Sequence, residues 1–318
     1  MADSFSTLAD LAKVNDANLA DIDVTDILDD APFLKALAAD ESSNGETHKY
    51  LKETGAPVVG FRAANDGREN SKSADTLVTV TPKILDASFT VDKAVAAIYR
   101  RGPNAWLGRE GVRHWRAAIS LAEKQLLYGT GQEAGGFTGL ADASTIDAVA
   151  DTMVVDAGGT TAATASSVFA VRTNANGTDV TLIGAGVGGN SPSIALKMGE
   201  TIVQRVAGAT GTYPAYYTPA MAWLALQIGS AYSVGRIANL TADAGKGLTD
   251  DLIADMLSQF PATRKPNYLV CSRRSLKQLQ QSRTATNATG APAPFPTESH
   301  NVPLVVTDSV KDTEAILA

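Results

Sequence analysis

Apolar positions change their rhythm several times along the chain, and each change predicts a different element. Residues 1–46 hold two short helical bursts, residues 8–14 and 25–39. The second places Ile27, Leu28, Phe33, Leu34 and Leu37 roughly on one face, but neither burst could build a core alone. From His48 to Lys93 the pattern is extended: "HKYLKETGAPVVGFRAA" and "DTLVTVTPKILDASFTV" flank the polar stretch "NDGRENSKS", which reads as a long β-hairpin with an unusually long loop. A two-stranded ribbon is marginal in isolation, so it must lie on its own body or on a neighbour.

The strongest helical signal covers residues 106–128, where Val112, Trp115, Ile119, Ala122 and Leu126 form an apolar stripe and Arg113, Arg116, Glu123 and Lys124 occupy other positions. Such a helix would be roughly 35 Å long, and Gly129 is suited to end it. Residues 167–240 read mainly as β: "SVFAVRT" and "TDVTLIG" are joined by the turn-prone "NANG" as a hairpin, followed by "TIVQRVA", "TYPAYYTPAMAWLALQI" and "AYSVGRIANL". After Thr241 the rhythm alternates. Thr249 caps the helix "LTDDLIADMLSQF", with Asp250 and Asp251 near its positive end. "NYLVC" is a buried strand, Ser272 caps "RRSLKQLQQS", a low-complexity loop follows, and "VPLVVTD" is a further strand.

At 318 residues, with 44% hydrophobic and 19% charged side chains, the composition is that of a globular chain. Charge matters more by distribution than by total. Of the net −7, residues 1–46 carry −9, leaving +2 for everything else. An acidic arm therefore precedes a nearly balanced body, and no basic stripe suits sequence-specific nucleic-acid binding. The single cysteine, Cys271, excludes an intrachain disulfide and any cysteine cluster for zinc, and His48, His114 and His300 form no ligand pair. The start shows no secretion signal, and the longest apolar stretch, residues 214–229, is too short to span a bilayer. A soluble protein is expected.

One motif invites a cofactor: "VTLIGAGVGGN" places Gly184, Gly186 and Gly189 in G-x-G-x-x-G spacing behind an apolar run. A dinucleotide loop also needs a parallel βαβ unit and an acidic residue about 20 positions on. Here "NSPSIALKMGE" leaves barely two turns of helix, and no Asp or Glu occurs in residues 201–242. A glycine-rich turn is the better reading, with an NAD(P)-dependent oxidoreductase as the alternative. No G-x-S-x-G elbow surrounds a serine. Cys271, ending an apolar strand, reads as an inert core thiol. Catalysis and metal binding are not expected.

The order of parts is more telling. "AEKQLLYGTGQEAGGFTGL" runs from the end of the long helix into a G-x-G turn, "NYLVCSRRSLKQLQQSR" precedes "VPLVVTDSV" after a loop, and "WLALQIGSAYSVGRIANL" contains an R-I-A-N run. Together these resemble the major capsid proteins of tailed bacteriophages, the Hong Kong 97 type. The resemblance implies an α+β fold divided into an acidic arm (1–46), an extended hairpin loop (47–95), a peripheral region with a spine helix (96–145), a β-rich peripheral or inserted region (146–240) and an axial α/β domain (241–318). In much of that family peripheral strands return after the axial domain, whereas these residues stop soon after "VTDSV", so residues 167–240 must supply those strands or form an insertion.

The implied role is self-assembly, through hexamers and pentamers, into an icosahedral head around double-stranded DNA held without sequence specificity. The implied setting is the virion, assembled in the host cytoplasm, with portal and scaffolding proteins, an optional cement protein, and no cofactor or membrane. The other alternative is a β-rich attachment or tail protein. Two contacts between copies are expected. Residues 1–46, through Asp26, Asp29 and Asp30 among others, would lie against basic groups of an adjoining subunit, Arg100, Arg101, Arg109, Arg113 and Arg116 being the nearest cluster; the alternative is that these arginines only solvate the long helix, since exposed ion pairs contribute ~0 to 1 kcal/mol each. The hairpin tip, with Arg62, Arg68, Glu69 and Lys72, would touch neighbours as well.

Overall fold

The computed structural model describes residues 31–174, 176–185, 195–196, 200–205, 212–287 and 291–318. A short helix α1 (Pro32–Ala36) leads into strand β1 (Ala39–Glu41). The hairpin strands are β2 (His48–Gly55) and β3 (Ala74–Val80), followed by β4 (Lys83–Asp86), β5 (Phe89–Asp92), helix α2 (Lys93–Ile98) and the long helix α3 (Pro103–Tyr128). Then come β6 (Val154–Asp156), β7 (Ser166–Val171), β8 (Val180–Ala185), β9 (Ala195–Leu196), β10 (Glu200–Arg205), β11 (Thr212–Thr218), β12 (Ala220–Ile228) and β13 (Val234–Leu240). The C-terminal region adds α4 (Asp250–Ser258), β14 (Tyr268–Cys271), α5 (Arg273–Ala285), β15 (Glu298–Ser299) and β16 (Val302–Val306).

A six-stranded sheet in the order β15-β16-β14-β7-β13-β6 forms the centre, drawing strands from both sides of Leu240. Its middle strands β7 and β13 are buried along their whole length, as near-continuous apolar runs must be when both faces are covered. A second sheet, β1-β8-β12-β4 with β9 on β12, packs nearby; β10-β11-β5 and β2-β3 form two smaller ones. The main core joins the inner faces of the first two sheets with α1, the C-terminal half of α3, α4 and α5. A separate, smaller core gathers Phe89, Val91, Val95, Tyr99, Trp106 and Leu107 around the N-terminal end of α3. The long helix therefore bridges two cores, and its middle, residues 112–117, is exposed apart from half-buried His114.

Thr249 and Ser272 cap α4 and α5 as the sequence predicts, accepting hydrogen bonds from the Leu252 and Ser275 amides. Gly129 ends α3 at φ 51°, and an added β-carbon would meet Asp142 Oδ2 at 1.8 Å and the Gly139 amide nitrogen at 2.2 Å, so glycine is required twice over.

Several expectations change. The described part of the 25–39 burst is helical only over α1; Leu37 turns extended so that Ala38 and β1 can pair with β8. "DTLVTVTPKILDASFTV" is three strands in three sheets, because Pro82 has no N–H to continue the ladder. Pro219 likewise divides β11 from β12. Helix α2 arises where an extended end was expected, nucleated by Asp92, whose carboxylate accepts from the Ala94 amide at 2.8 Å. "SVFAVRT" and "TDVTLIG" do not pair as a hairpin. Both edges of β7 are taken by β13 and β14, so β8 leaves for the second sheet. The turn between them closes instead on buried Asp179, which binds Arg172, Asn174 and Ser233. Finally, the predicted stripe on α3 is split: Ala122 and Leu126 are buried, while Val112 is 49% and Trp115 44% exposed.

Candidate assembly surfaces

The hairpin leaves the body with both of its faces largely in solvent. Strands β2 and β3 pair from His48 opposite Val80 to Gly55 opposite Ala74. Beyond them, Val58 and Ser71 close the neck, the Ser71 hydroxyl accepting from the Val58 amide at 2.7 Å and donating to its carbonyl at 3.2 Å. A turn at the tip has Asn65 at φ 66°, and Arg62 Nη1 donates to the Asp66 carbonyl at 3.2 Å. Arg68, Glu69 and Lys72 lie exposed in this same tip loop. What the charges did not reveal is the apolar load beside them: Leu51, Val58, Val59, Phe61 and Leu77 are all exposed, Val59 to 81%. Monomeric surfaces rarely leave such side chains clustered and bare. At the root, Tyr50 Oη donates to the Ile228 carbonyl at 3.1 Å, and burial pushes its hydroxyl pKa up. His114 also serves the root: its ring stacks on Phe89 with centroids 4.5 Å apart, and Nδ1 meets the Ala87 carbonyl at 3.0 Å.

The acidic arm divides in two. Asp26, Asp29 and Asp30 lie outside the described residues. Residues 31–42 fold onto their own subunit, which corrects the expectation that all of residues 1–46 rests on a neighbour. Phe33 is fully buried in the main core, the Ala38 amide donates to Thr173 Oγ1 at 3.0 Å, and the Ser42 amide to the Gly184 carbonyl at 2.8 Å. The central latch is Glu123 of α3. Wholly buried, its carboxylate accepts from the Leu34 amide at 2.9 Å and from the Thr307 hydroxyl. Sequence periodicity gives no sign of this, because glutamate off the apolar stripe reads as solvated.

The five arginines of the expected cluster are divided between elements. Arg100 and Arg101 lie in the link between α2 and α3, while Arg109, Arg113 and Arg116 lie along α3. Arg113 pairs with Glu110 at 3.1 Å, and Arg116 is exposed.

A second buried network fastens the C-terminal segment. Glu314 accepts from Arg236 Nη2 at 2.9 Å, from Ser167 Oγ at 2.6 Å and from Tyr128 Oη at 2.6 Å. Arg236 Nε also donates to Ser167 Oγ at 2.9 Å, and its guanidinium lies over the Phe169 ring. Burial, followed by the Glu314 charge, raises the Tyr128 hydroxyl pKa. Leu317 and Asn239 exchange hydrogen bonds, and the Val149 amide donates to the Ala318 carbonyl.

The glycine motif loses its context. Gly184 lies inside β8, between parallel β1 and antiparallel β12, whereas Gly186 and Gly189 lie outside the described residues. A dinucleotide loop needs a parallel strand reached through a helix, and β8's parallel partner precedes it in the chain. Cys271 is fully buried, which pushes its thiol up to about 12. Among the described residues no three His, Cys, Asp or Glu side chains come together as a metal site, and no helix is long and apolar enough to cross a membrane.

Comparison with known proteins assigns this architecture. No curated protein sequence matches the chain. The bacteriophage Epsilon15 structure superposes with a TM-score of 0.64 at 18% identity, covering 100% of this chain and 98% of that one. The bacteriophage JBD30 capsid gives 0.52 at 14% identity, covering 90% and 93%. The JBD30 capsid decorated with minor capsid protein trimers gives 0.51 at 15% identity, covering 97% and 100%. The fold is thus the Hong Kong 97 type, and the family description "Major capsid protein GP7" matches residues 16–315. An acidic arm, a projecting hairpin and a helix bridging two cores find their common explanation here: the chain belongs to the GP7 family of major capsid proteins, the subunits of phage shells.

Proposed function

We propose that this subunit assembles through hexamers and pentamers into an icosahedral head around double-stranded DNA, and that the hairpin tip is its principal contact with adjoining copies. The observation carrying this reading is the bare apolar loop, with Val58, Val59 and Phe61 exposed beside Arg62, Arg68, Glu69 and Lys72. A neighbour that buries those three side chains contributes about 1.5–3 kcal/mol for each one fully covered, which the ribbon cannot gain alone. The charged residues then fix register more than affinity. Residues 1–30, with eight aspartates against one lysine, supply a second contact through the arginines near and along α3.

A balanced or acidic lining lets DNA be packed and released without sticking, in keeping with the net charge of −7. Portal and scaffolding proteins, and a cement protein comparable in role to the minor capsid protein of the JBD30 particle, complete the proposed partners. Assembly in the host cytoplasm precedes residence in the virion, and no catalytic step is assigned.

The test is size-exclusion chromatography with negative-stain microscopy of the purified chain, alongside Phe61→Ser and the charge reversal Arg68→Glu with Glu69→Arg. Shells or capsomers from the parent chain and a severalfold loss of particle yield in both variants are expected. Undiminished yield from the variants would remove the hairpin from the contact. A small, homogeneous oligomer from the parent chain would refute assembly itself.

A further inference from the structure

The outer edge of β4 and the cleft beside it have the form of a receptor. β4 ends its sheet and pairs with β12 on one side only. The Ala87 amide donates to the Ala220 carbonyl at 2.8 Å, in the register that sets Leu85 opposite Ala222. Backbone groups alternate between the two edges of an antiparallel strand, so those of Ile84 and Asp86 point away from β12. Among the described residues they have no backbone partner on that side, and Ile84 is 61% exposed. Such an edge is a template for another strand. Behind it lies a cleft of about 110 Å³, room for one side chain, lined by Ile84, Leu85, Leu121, Phe137 and Gln125. Gln125 is only 4% exposed, and its Nε2 donates to the Phe137 carbonyl at 2.7 Å and the Glu133 carbonyl at 3.3 Å, while Oε1 has no donor. Buried acceptors are normally satisfied, so the cleft calls for a donor as well as an apolar side chain. Lys83 and Glu133 stand exposed at its rim.

The hairpin tip matches each of these demands. Val58 spends both backbone groups on Ser71 across the neck. The same alternation turns those of Val59 and Phe61 outward and sets their side chains on one face. Both side chains lie in solvent. Arg62 follows directly; Nη1 donates to the Asp66 carbonyl, which leaves further guanidinium N–H groups for Gln125 Oε1 or for Glu133. Glu69, in the same loop, is the counterpart of Lys83. The tip that enters the cleft must come from another copy. From Ser71 at the neck to Val80, where the ladder ends just ahead of β4, the strand runs about 30 Å. Tyr50 pins the root of the ribbon to the Ile228 carbonyl, so the tip is held about that far from the cleft of its own chain.

We infer that residues 59–61 of one copy add as a strand to the outer edge of β4 in an adjoining copy, with Phe61 seated in the cleft between β4, α3 and the turn at Gly135 and Gly136. Main-chain hydrogen bonds to Ile84 and Asp86 hold the segment, and the one-residue cleft selects its side chain. This rests on the reading of the hairpin as the contact between subunits and names the surface that receives it.

The test begins with Ile84→Pro in the full chain. Proline there removes an N–H that points outward, so the ladder to β12 stands while the edge is blocked. A severalfold fall in particle yield is expected, with parental yield from Ile84→Val, which keeps the N–H. The second measurement uses particles co-assembled from single-cysteine chains, Ile84→Cys with either Val59→Cys or Phe61→Cys, Cys271 being buried. Oxidation should give an interchain disulfide dimer from at least one pair, since residues opposite each other on adjacent strands lie within disulfide reach. Trp115→Cys with Phe61→Cys should give none. Parental yield from Ile84→Pro, no dimer from either Ile84 pair, or dimer through Trp115 in their place would each overturn the inference. The Phe61→Ser variant separates this from the underlying reading: a loss of yield there with none in Ile84→Pro keeps the hairpin contact and rejects the receptor, whereas full yield in Phe61→Ser rejects the contact itself.

Discussion

Replacing Glu314 by alanine should cost far more than its place near the end of the sequence suggests. Both partners of its ion pair are buried, with side-chain exposures of 8% for Arg236 and 7% for Glu314. Loss of the carboxylate strands a guanidinium in the core and deprives the Tyr128 and Ser167 hydroxyls of their acceptor. Breaking such a pair from one side costs about 3–5 kcal/mol, and each orphaned hydroxyl about 1 kcal/mol more where it finds no water. A net loss of ~5 kcal/mol is expected, a large fraction of a domain's total stability. Urea unfolding at fixed protein concentration measures it as a fall in midpoint with little change in slope.

The companion variant Arg236→Met removes the stranded charge. The double variant should therefore be less destabilised than the sum of the singles by about 2 kcal/mol. Limited proteolysis gives the local readout. Glu314→Ala should expose residues 307–318 to cleavage, because Lys311, Leu317 and Ala318 are held to the same region. A loss under about 1 kcal/mol, or simple additivity in the double variant, would refute the claim that Glu314 anchors this segment through its charge.

Two other predictions follow from single residues. Gly129→Ala must both hold a positive φ and push Asp142 and Gly139 aside, so it should abolish soluble, folded protein at 37 °C, while Gly131→Ala, where an added β-carbon meets nothing within 4 Å, should not; circular dichroism of the two compares them directly. The Arg283 guanidinium, 2.7 Å from each Asp250 oxygen, holds that carboxyl below its usual range. Its contribution is complete above the unfolded carboxylate pKa of about 3.9 and is lost as pH falls through the lowered native value. At pH 7 Asp250→Asn should cost about 1 kcal/mol, a figure discounted because both side chains are about one-third exposed, and the gap between variant and parent should close under acid unfolding as pH falls through the lowered native value. A gap that persists there would assign the effect to Ser299, which also donates to Asp250.

Local chemistry was legible in the sequence; long-range partnership was less so. Thr249, Ser272 and Gly129 announce the ends of their helices because caps depend on a few adjacent residues. The order of helix, glycine turn and α/β segments carried the family likeness for the same reason. Strand partners were harder. "NANG" has hairpin chemistry, yet β8 leaves because β13 and β14 occupy both edges of β7, and only the sheet as a whole contains that fact. Glu123 was misleading in another way. A carboxylate among Ala122, Lys124 and Gln125 looks solvated until α1 and Thr307 arrive from 89 and 184 residues away to satisfy it. The tip charges drew attention to this loop, but the exposed apolar side chains beside them are unremarkable in a sequence that alternates anyway.

A rod clamped at two ends bends where it is bare. The spine helix is fixed by Trp106 and Leu107 in the small core and by Leu126 and Leu127 in the large one, with Gly108 and Gly111, each weakening a helix by up to about 1 kcal/mol relative to alanine, near the start of the free span. A closed shell places chemically identical subunits around fivefold and sixfold axes, where the required tilt differs. Flexure taken up in this span would let the two cores keep their packing while the angle between them adjusts to each axis.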